Sequence, residues 1–248
     1  MPSLYATLAD TLRAEIVAGA LPPGTQLPSE HELVQRHGVS RNTVRKALGQ
    51  LVHDGLVISR QGSGYFVREH QPVIWHASRP ERNVQTSVLP ADAWSHCVRE
   101  QGRTPEEKIR IVVGVPNARI AAALQLKPGE EVVGRLRERY VDGVLSTLAD
   151  SYYPESLVRD SPIMLPYDVQ PGVYAILASR GAGFTRNRDE IITRMPNREE
   201  SNRLKLGPGT PIAEHLRVSF TPSNRPVRLL LSILPGDKVT IAYESFAT

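Results

Sequence analysis

The chain has one cysteine, Cys97, in 248 residues, so no disulfide can form within it, and this usage suits a reducing compartment. It also lacks a long apolar run. The longest, Val227 to Leu234, is broken by Arg228 and Ser232, well short of the roughly 18 residues that a spanning helix requires. The opening stretch, MPSLYATLADTLRAEIVAG, carries Asp10 and Glu15 inside its apolar pattern and offers no small-residue cleavage site, which argues against a secretion signal. Charge of one sign is scarce: the net charge is +4 and the pI about 9.3, compatible with nucleic acid without demanding it. The seven histidines are scattered, with no metal-ligand spacing, no Ser-His-Asp order and no phosphate loop around them. These absences leave a soluble, cytoplasmic chain that calls for no cofactor or metal and is long enough for two cores.

The first seventy residues carry the clearest pattern. Leu8, Leu12 and Ile16 recur every four residues and predict an amphipathic helix ending near Gly19, followed by the connector LPPGTQLP. Ser29 with Glu32 three residues later forms a capping box for a second helix, which Gly38 stops. Ser40 caps a third helix that runs to about Asp54, with Val44, Ala47, Leu48 and Leu51 as its buried stripe. Arg41, Asn42, Thr43, Arg45 and Lys46 lie on its first turns as bare cations and polar groups, mostly off that stripe, with no carboxylate nearer than Asp54. A recognition helix has this arrangement: its N-terminal side chains reach base edges while its dipole and amides meet phosphate. The segment LVISR-QGSG-YFVR then reads as a hairpin whose tip, around Gln61 and Gly62, can approach a phosphate or a minor groove. The alternative is a small helical domain whose arginines merely solvate its surface. Seven Lys or Arg face six Asp or Glu in these seventy residues, so DNA binding rests on placement rather than bulk charge.

This stretch, PSEHELVQRHGVSRNTVRKAL above all, resembles the N-terminal winged helix-turn-helix of the GntR family of bacterial transcription regulators across residues 3 to 68. The resemblance implies that Arg41, Thr43 and Arg45 contact operator bases and backbone, that Ser29 and Glu30 open the helix crossing the phosphate backbone, and that Gly62 lies at the wing tip. His31 departs from the arginine that many members carry there.

Glu69 to Leu89 is polar, broken by prolines, and reads as an extended connector with Trp75 inside it. Beyond it, a helix is expected over 91 to 101, and a repeat appears. NARIAAALQLKPGEEVVGRLR, residues 117 to 137, aligns at an offset of 80 with NREESNRLKLGPGTPIAEHLR, residues 197 to 217. Asn117, Leu124, Leu126, Pro128, Gly129, Leu136 and Arg137 recur as identical residues. An apolar strand ending in proline precedes each copy, and a strand pair follows, turned at Asp142-Gly143 and at Pro222-Ser223-Asn224. Two copies predict about six strands in one antiparallel sheet with helices on a face. The fold class is therefore α+β, with a DNA-binding domain over 1–69, a linker over 70–89 and a sheet domain over 90–248.

This order, with RLRERYVDG, ADSYYP and PGVYAIL, resembles the effector-binding (UTRA) domain of the HutC subfamily, related in fold to chorismate lyase. Arg135 and Arg137 alternate on one strand and suit an anion. Asp150 and Tyr152 lie on the strand paired with it, and Gly172 and Tyr174 open a helix after Pro171. The resemblance places Arg135, Arg137 and Tyr174 in the effector pocket. Asp150 shortens its acid, Gly172 replaces its serine, and Arg228 stands where members that bind amino sugar phosphates have glutamate. The alternative is a pair of surface arginines bridged to Glu138 or Asp150, with Tyr174 packing its helix. The whole implies a homodimeric repressor, released from a palindromic operator on double-stranded DNA by a small, anionic effector. The alternatives are a constitutive repressor whose second domain only dimerises, and a lyase-like enzyme, for which no catalytic constellation is present.

Overall fold

The computed structural model describes residues 3–68, 72–78 and 93–244. The chain divides into two units, residues 1–71 with 195–211, and residues 72–194 with 212–248.

The first unit opens with three helices, α1 (Leu4–Val17), α2 (Glu30–His37) and α3 (Arg41–His53), and a wing of two antiparallel strands, β1 (Val57–Arg60) and β2 (Gly64–Val67). Each boundary has a local cause. Ser29 and Glu32 close the expected capping box at the start of α2, and Gly38 ends it in the left-handed conformation, φ 64°, where glycine has no Cβ penalty. Ser40 caps α3 by accepting a hydrogen bond from the Thr43 amide at 3.2 Å. Leu8 and Leu12 of α1, Leu33 of α2 and the predicted stripe Val44, Ala47, Leu48 and Leu51 of α3 share one core with Val57 and Val67 of the wing.

The rest of the chain runs β3 (Val73–His76), α4 (Ala93–Glu100), β4 (Pro105–Gly114), α5 (Ala118–Leu124), β5 (Val132–Val141), β6 (Val144–Pro154), α6 (Glu155–Val158), a 3-10 turn at Pro162–Met164, α7 (Val173–Ser179), β7 (Arg186–Arg194), α8 (Arg198–Leu204, in the first unit), β8 (Ile212–Phe220), β9 (Pro226–Pro235) and β10 (Val239–Ala242). Six strands form one antiparallel sheet in the order β4-β5-β6-β9-β8-β7. The repeat explains that order: β4-β5-β6 and β7-β8-β9 are its two copies, joined at β6 and β9. Asn117 and Asn197 cap the equivalent helices α5 and α8, each followed by a left-handed residue, Gln125 and Lys205. The structure extends the repeat backwards, since α4 precedes the first copy as α7 precedes the second.

Helices cover both faces of the sheet rather than one. Val133 and Tyr153 pack with Ile176 and Leu177 of α7, whereas Val132, Tyr152 and Leu229 pack with Ile120 and Leu124 of α5. Adjacent residues of a strand point to opposite faces, so these two clusters lie on opposite sides. The connector is in part structured: β3 pairs in parallel with β10, and the Arg139 guanidinium lies 5.9 Å from the Trp75 ring and 5.0 Å from the Trp94 ring. Residues 69–71 and 79–92 of the predicted linker and helix lie outside the described residues.

Candidate DNA interface and effector pocket

On α3, Arg41, Asn42, Arg45 and Lys46 are exposed and Thr43 is half-buried, its hydroxyl 2.9 Å from that of Ser40. The expectation that no carboxylate comes nearer these cations than Asp54 needs correction for Arg41 and Arg45. Glu30, the first residue of α2, accepts a hydrogen bond from Arg41 Nε at 2.8 Å and from Arg45 Nε at 3.1 Å. The carboxylate comes from the neighbouring helix, so the spacing along α3 gave no sign of it. Hydrogen bonding from Arg41, with a further contribution from Arg45, holds the Glu30 carboxyl below its ordinary value despite partial desolvation. A cavity of about 230 Å³ beside this cluster is lined by Glu30, His31, Val34 and Arg41. His31 is exposed on α2, with its Nε2 3.0 Å from Gln35 Nε2. At the wing tip, Gln61 and Gly62 are exposed, Gly62 has φ 75°, and Gln26 Nε2 donates to the Ser63 carbonyl at 2.7 Å to steady the loop.

In the sheet domain, strand register decides which candidates meet. Arg135 pairs with Ser151, Ser151 with Leu230, Leu230 with Arg217 and Arg217 with Asp189, so these five share a row on one face. The neighbouring row on that face carries Val133 paired with Tyr153, and Arg228 paired with Ser219. Asp150 and Tyr152 pair with Leu231 and Leu229, which belong to the α5 cluster, so they occupy the opposite face. Asp150 instead accepts from the Arg137 amide at 3.2 Å. Burial, then the Asp150 charge, pushes the Tyr152 hydroxyl up to about 12, which keeps it a neutral hydrogen-bonding group.

The two strand arginines are buried, not on the surface. Arg135 donates to the carbonyls of Ile163 and Leu165 at 2.6 Å and of Tyr167 at 2.8 Å, and burial lowers its pKa. Arg137 donates to Ser151 Oγ at 3.0 Å and pairs with Glu107, not with Glu138 or Asp150, at 3.3 Å. Tyr174 meets Phe184 edge-on at 4.9 Å. Gly172 precedes α7 with φ 114°, a conformation in which a serine side chain would be strained. Two further groups escaped the sequence reading. Tyr153 and Ser219 are fully buried, yet their hydroxyls have no hydrogen-bond partner among the described residues. Ser219 lies opposite Arg228, and Tyr153 follows the Tyr152–Leu229 pair that brings β6 against β9. Strand alternation on β6 held the signal, but only the register reveals which parity shares a face with Arg135.

The family of bacterial regulatory proteins named gntR matches residues 4–67, and the UTRA domain matches residues 100–240. The chain belongs to the GntR family. It is 26% identical over 250 residues to the uncharacterized HTH-type transcriptional regulator YurK of Bacillus subtilis, covering 98% of this chain and 95% of that protein. It is 27% identical over 236 residues to the HTH-type transcriptional regulator GgaR of Escherichia coli, covering 94% and 88%. Among solved structures, PhnF from Mycobacterium smegmatis shares the fold, with a TM-score of 0.57 and 24% identity over 99% of this chain and 100% of that one. This GntR-family protein is thus a DNA-binding transcription regulator, and its relatives are regulators rather than enzymes. The helix-turn-helix implies DNA as one partner and the UTRA domain implies a small-molecule effector as the other. No helix among the described residues is long and apolar enough to cross a membrane.

Proposed function

We propose that this regulator is a homodimeric repressor which leaves a palindromic operator when a small anionic metabolite enters the sheet domain. The observation that carries the effector part is the row holding Arg228 and the partnerless hydroxyls of Tyr153 and Ser219. A buried hydroxyl without a partner costs about 1–3 kcal/mol. Two of them in the sheet row that also carries Arg228 suit an oxyanion, which accepts from both hydroxyls. The operator part rests on the exposed first turns of α3. A two-fold dimer presents two such helices to half-sites about 34 Å apart. The repressor sign follows a relative, the "Probable fructoselysine utilization operon transcriptional repressor" of Escherichia coli, 25% identical over 98% of this chain and 94% of that protein.

The test begins with genomic fragments retained by the purified chain at near-physiological salt. Bound fragments are then challenged with a metabolite extract split by anion exchange. Release by the anionic fraction alone is the expected result; release only by the neutral fraction refutes the anionic effector, and a monomer by light scattering refutes the dimer. A second reading, a constitutive repressor whose sheet domain only dimerises, is favoured by the internal engagement of Arg135 and Arg137. It predicts no release by any fraction.

A further inference from the structure

Arg41 and Arg45 stand one helical turn apart on α3, and a single carboxylate holds both. It holds them through Nε in each case, and both side chains remain largely exposed, 71% and 58%. Their terminal Nη groups have no partner among the described residues. The terminal N–H groups on the outer edge of each guanidinium are therefore not engaged by Glu30. That edge matches the O6 and N7 acceptors of guanine. A free arginine, by contrast, samples many rotamers and serves as readily as a point charge on any phosphate. Glu30 also cancels one of the two positive charges at the DNA-facing end of α3, and phosphate attraction scales with that charge.

We infer that Glu30 acts as a positioning residue that fixes the two recognition-helix arginines for base reading, exchanging sequence-blind affinity for discrimination. The inference rests on the DNA-binding role of α3 but assigns Glu30 a task other than touching the phosphate backbone. Removing the charge should strengthen sequence-blind binding and weaken discrimination.

The test uses the full chain and a library of randomised DNA duplexes, with Glu30→Gln compared against the wild type. The amide keeps the shape but offers one acceptor oxygen where two arginines need holding. The selected motif from Glu30→Gln should lose its guanine preferences, with discrimination falling about tenfold, the scale of one bidentate base contact. Binding to a non-selected duplex should tighten and fall more steeply with salt. Glu32→Gln is the control: it weakens the capping box of the same helix and exposes any effect of a loosened α2. It should lower the melting temperature while leaving the motif intact. Equal discrimination in Glu30→Gln and wild type overturns the proposal alone, as does loss of specific and non-specific binding together. A wild type that selects no motif overturns the operator reading and this proposal with it.

Discussion

Replacing Arg135 by methionine separates a ligand-binding arginine from a structural one. The stem and most of the volume remain, while the hydrogen bonds to the carbonyls of Ile163, Leu165 and Tyr167 are lost. Leu165 and Tyr167 are exposed, so water can reach toward their carbonyls, but the bond to Ile163 is buried. Hydrogen bonds from a charged donor contribute about 1.5–3 kcal/mol each. Relief of the guanidinium's desolvation offsets part of the loss, since burial already works against its charge. The net destabilisation is about 3 kcal/mol, which lowers Tm by roughly 6–12 °C in a domain of this size. Both tryptophans, Trp75 and Trp94, lie in the second unit, so tryptophan fluorescence during heating follows that unit alone. A Tm within about 1 °C of wild type would refute the structural role. It would return Arg135 to the candidates for effector contact.

Tyr153→Phe and Ser219→Ala each delete a partnerless buried hydroxyl. Both should leave the free protein as stable or up to about 1 kcal/mol more stable, while weakening release of DNA by the anionic fraction; a clear loss of Tm would show that the hydroxyls already have partners. Asp189 is half-buried, and hydrogen bonds from His215 and Arg217 overcome its desolvation to hold the carboxyl at about 2, against an ordinary 3.8. Because the folded value is the lower one, its stabilisation is present above about pH 4 and disappears as pH falls towards 2, on the order of 2 kcal/mol. Denaturant unfolding between pH 2 and 6 should therefore slope less steeply for Asp189→Asn than for wild type, and identical slopes would remove this carboxylate from the acid limb.

Most of the first unit was legible because its determinants are local. Capping boxes, left-handed glycines and a four-residue apolar period act within a turn or two of where they are written. The sheet was legible for a different reason: an 80-residue offset doubles every strand, so one copy's pattern checks the other's. Tertiary capture was not legible. Glu30 lies 11 and 15 residues before the arginines it holds, and only the packing of α2 on α3 brings them together. The candidate pocket was half legible. Shared strands correctly brought β5 beside β6, but pairing Arg135 with Ser151 sends Asp150 and Tyr152 to the other face. A shift of one residue in register would have reversed that outcome.

The doubled sheet gives the molecule two arginines at one position of its repeat. Arg137 and Arg217 occupy the same position of the repeat, 80 residues apart. The first is tied to Glu107 and Ser151 near the candidate pocket. The second grips Asp189 and reaches the carbonyl of Ala77 at 2.5 Å, where the connector leaves β3. The two copies thus hold different partners from the same position. Substitutions around Arg137 can therefore alter the cluster with Glu107 and Ser151 while Arg217 keeps its hold on Asp189 and on the end of β3.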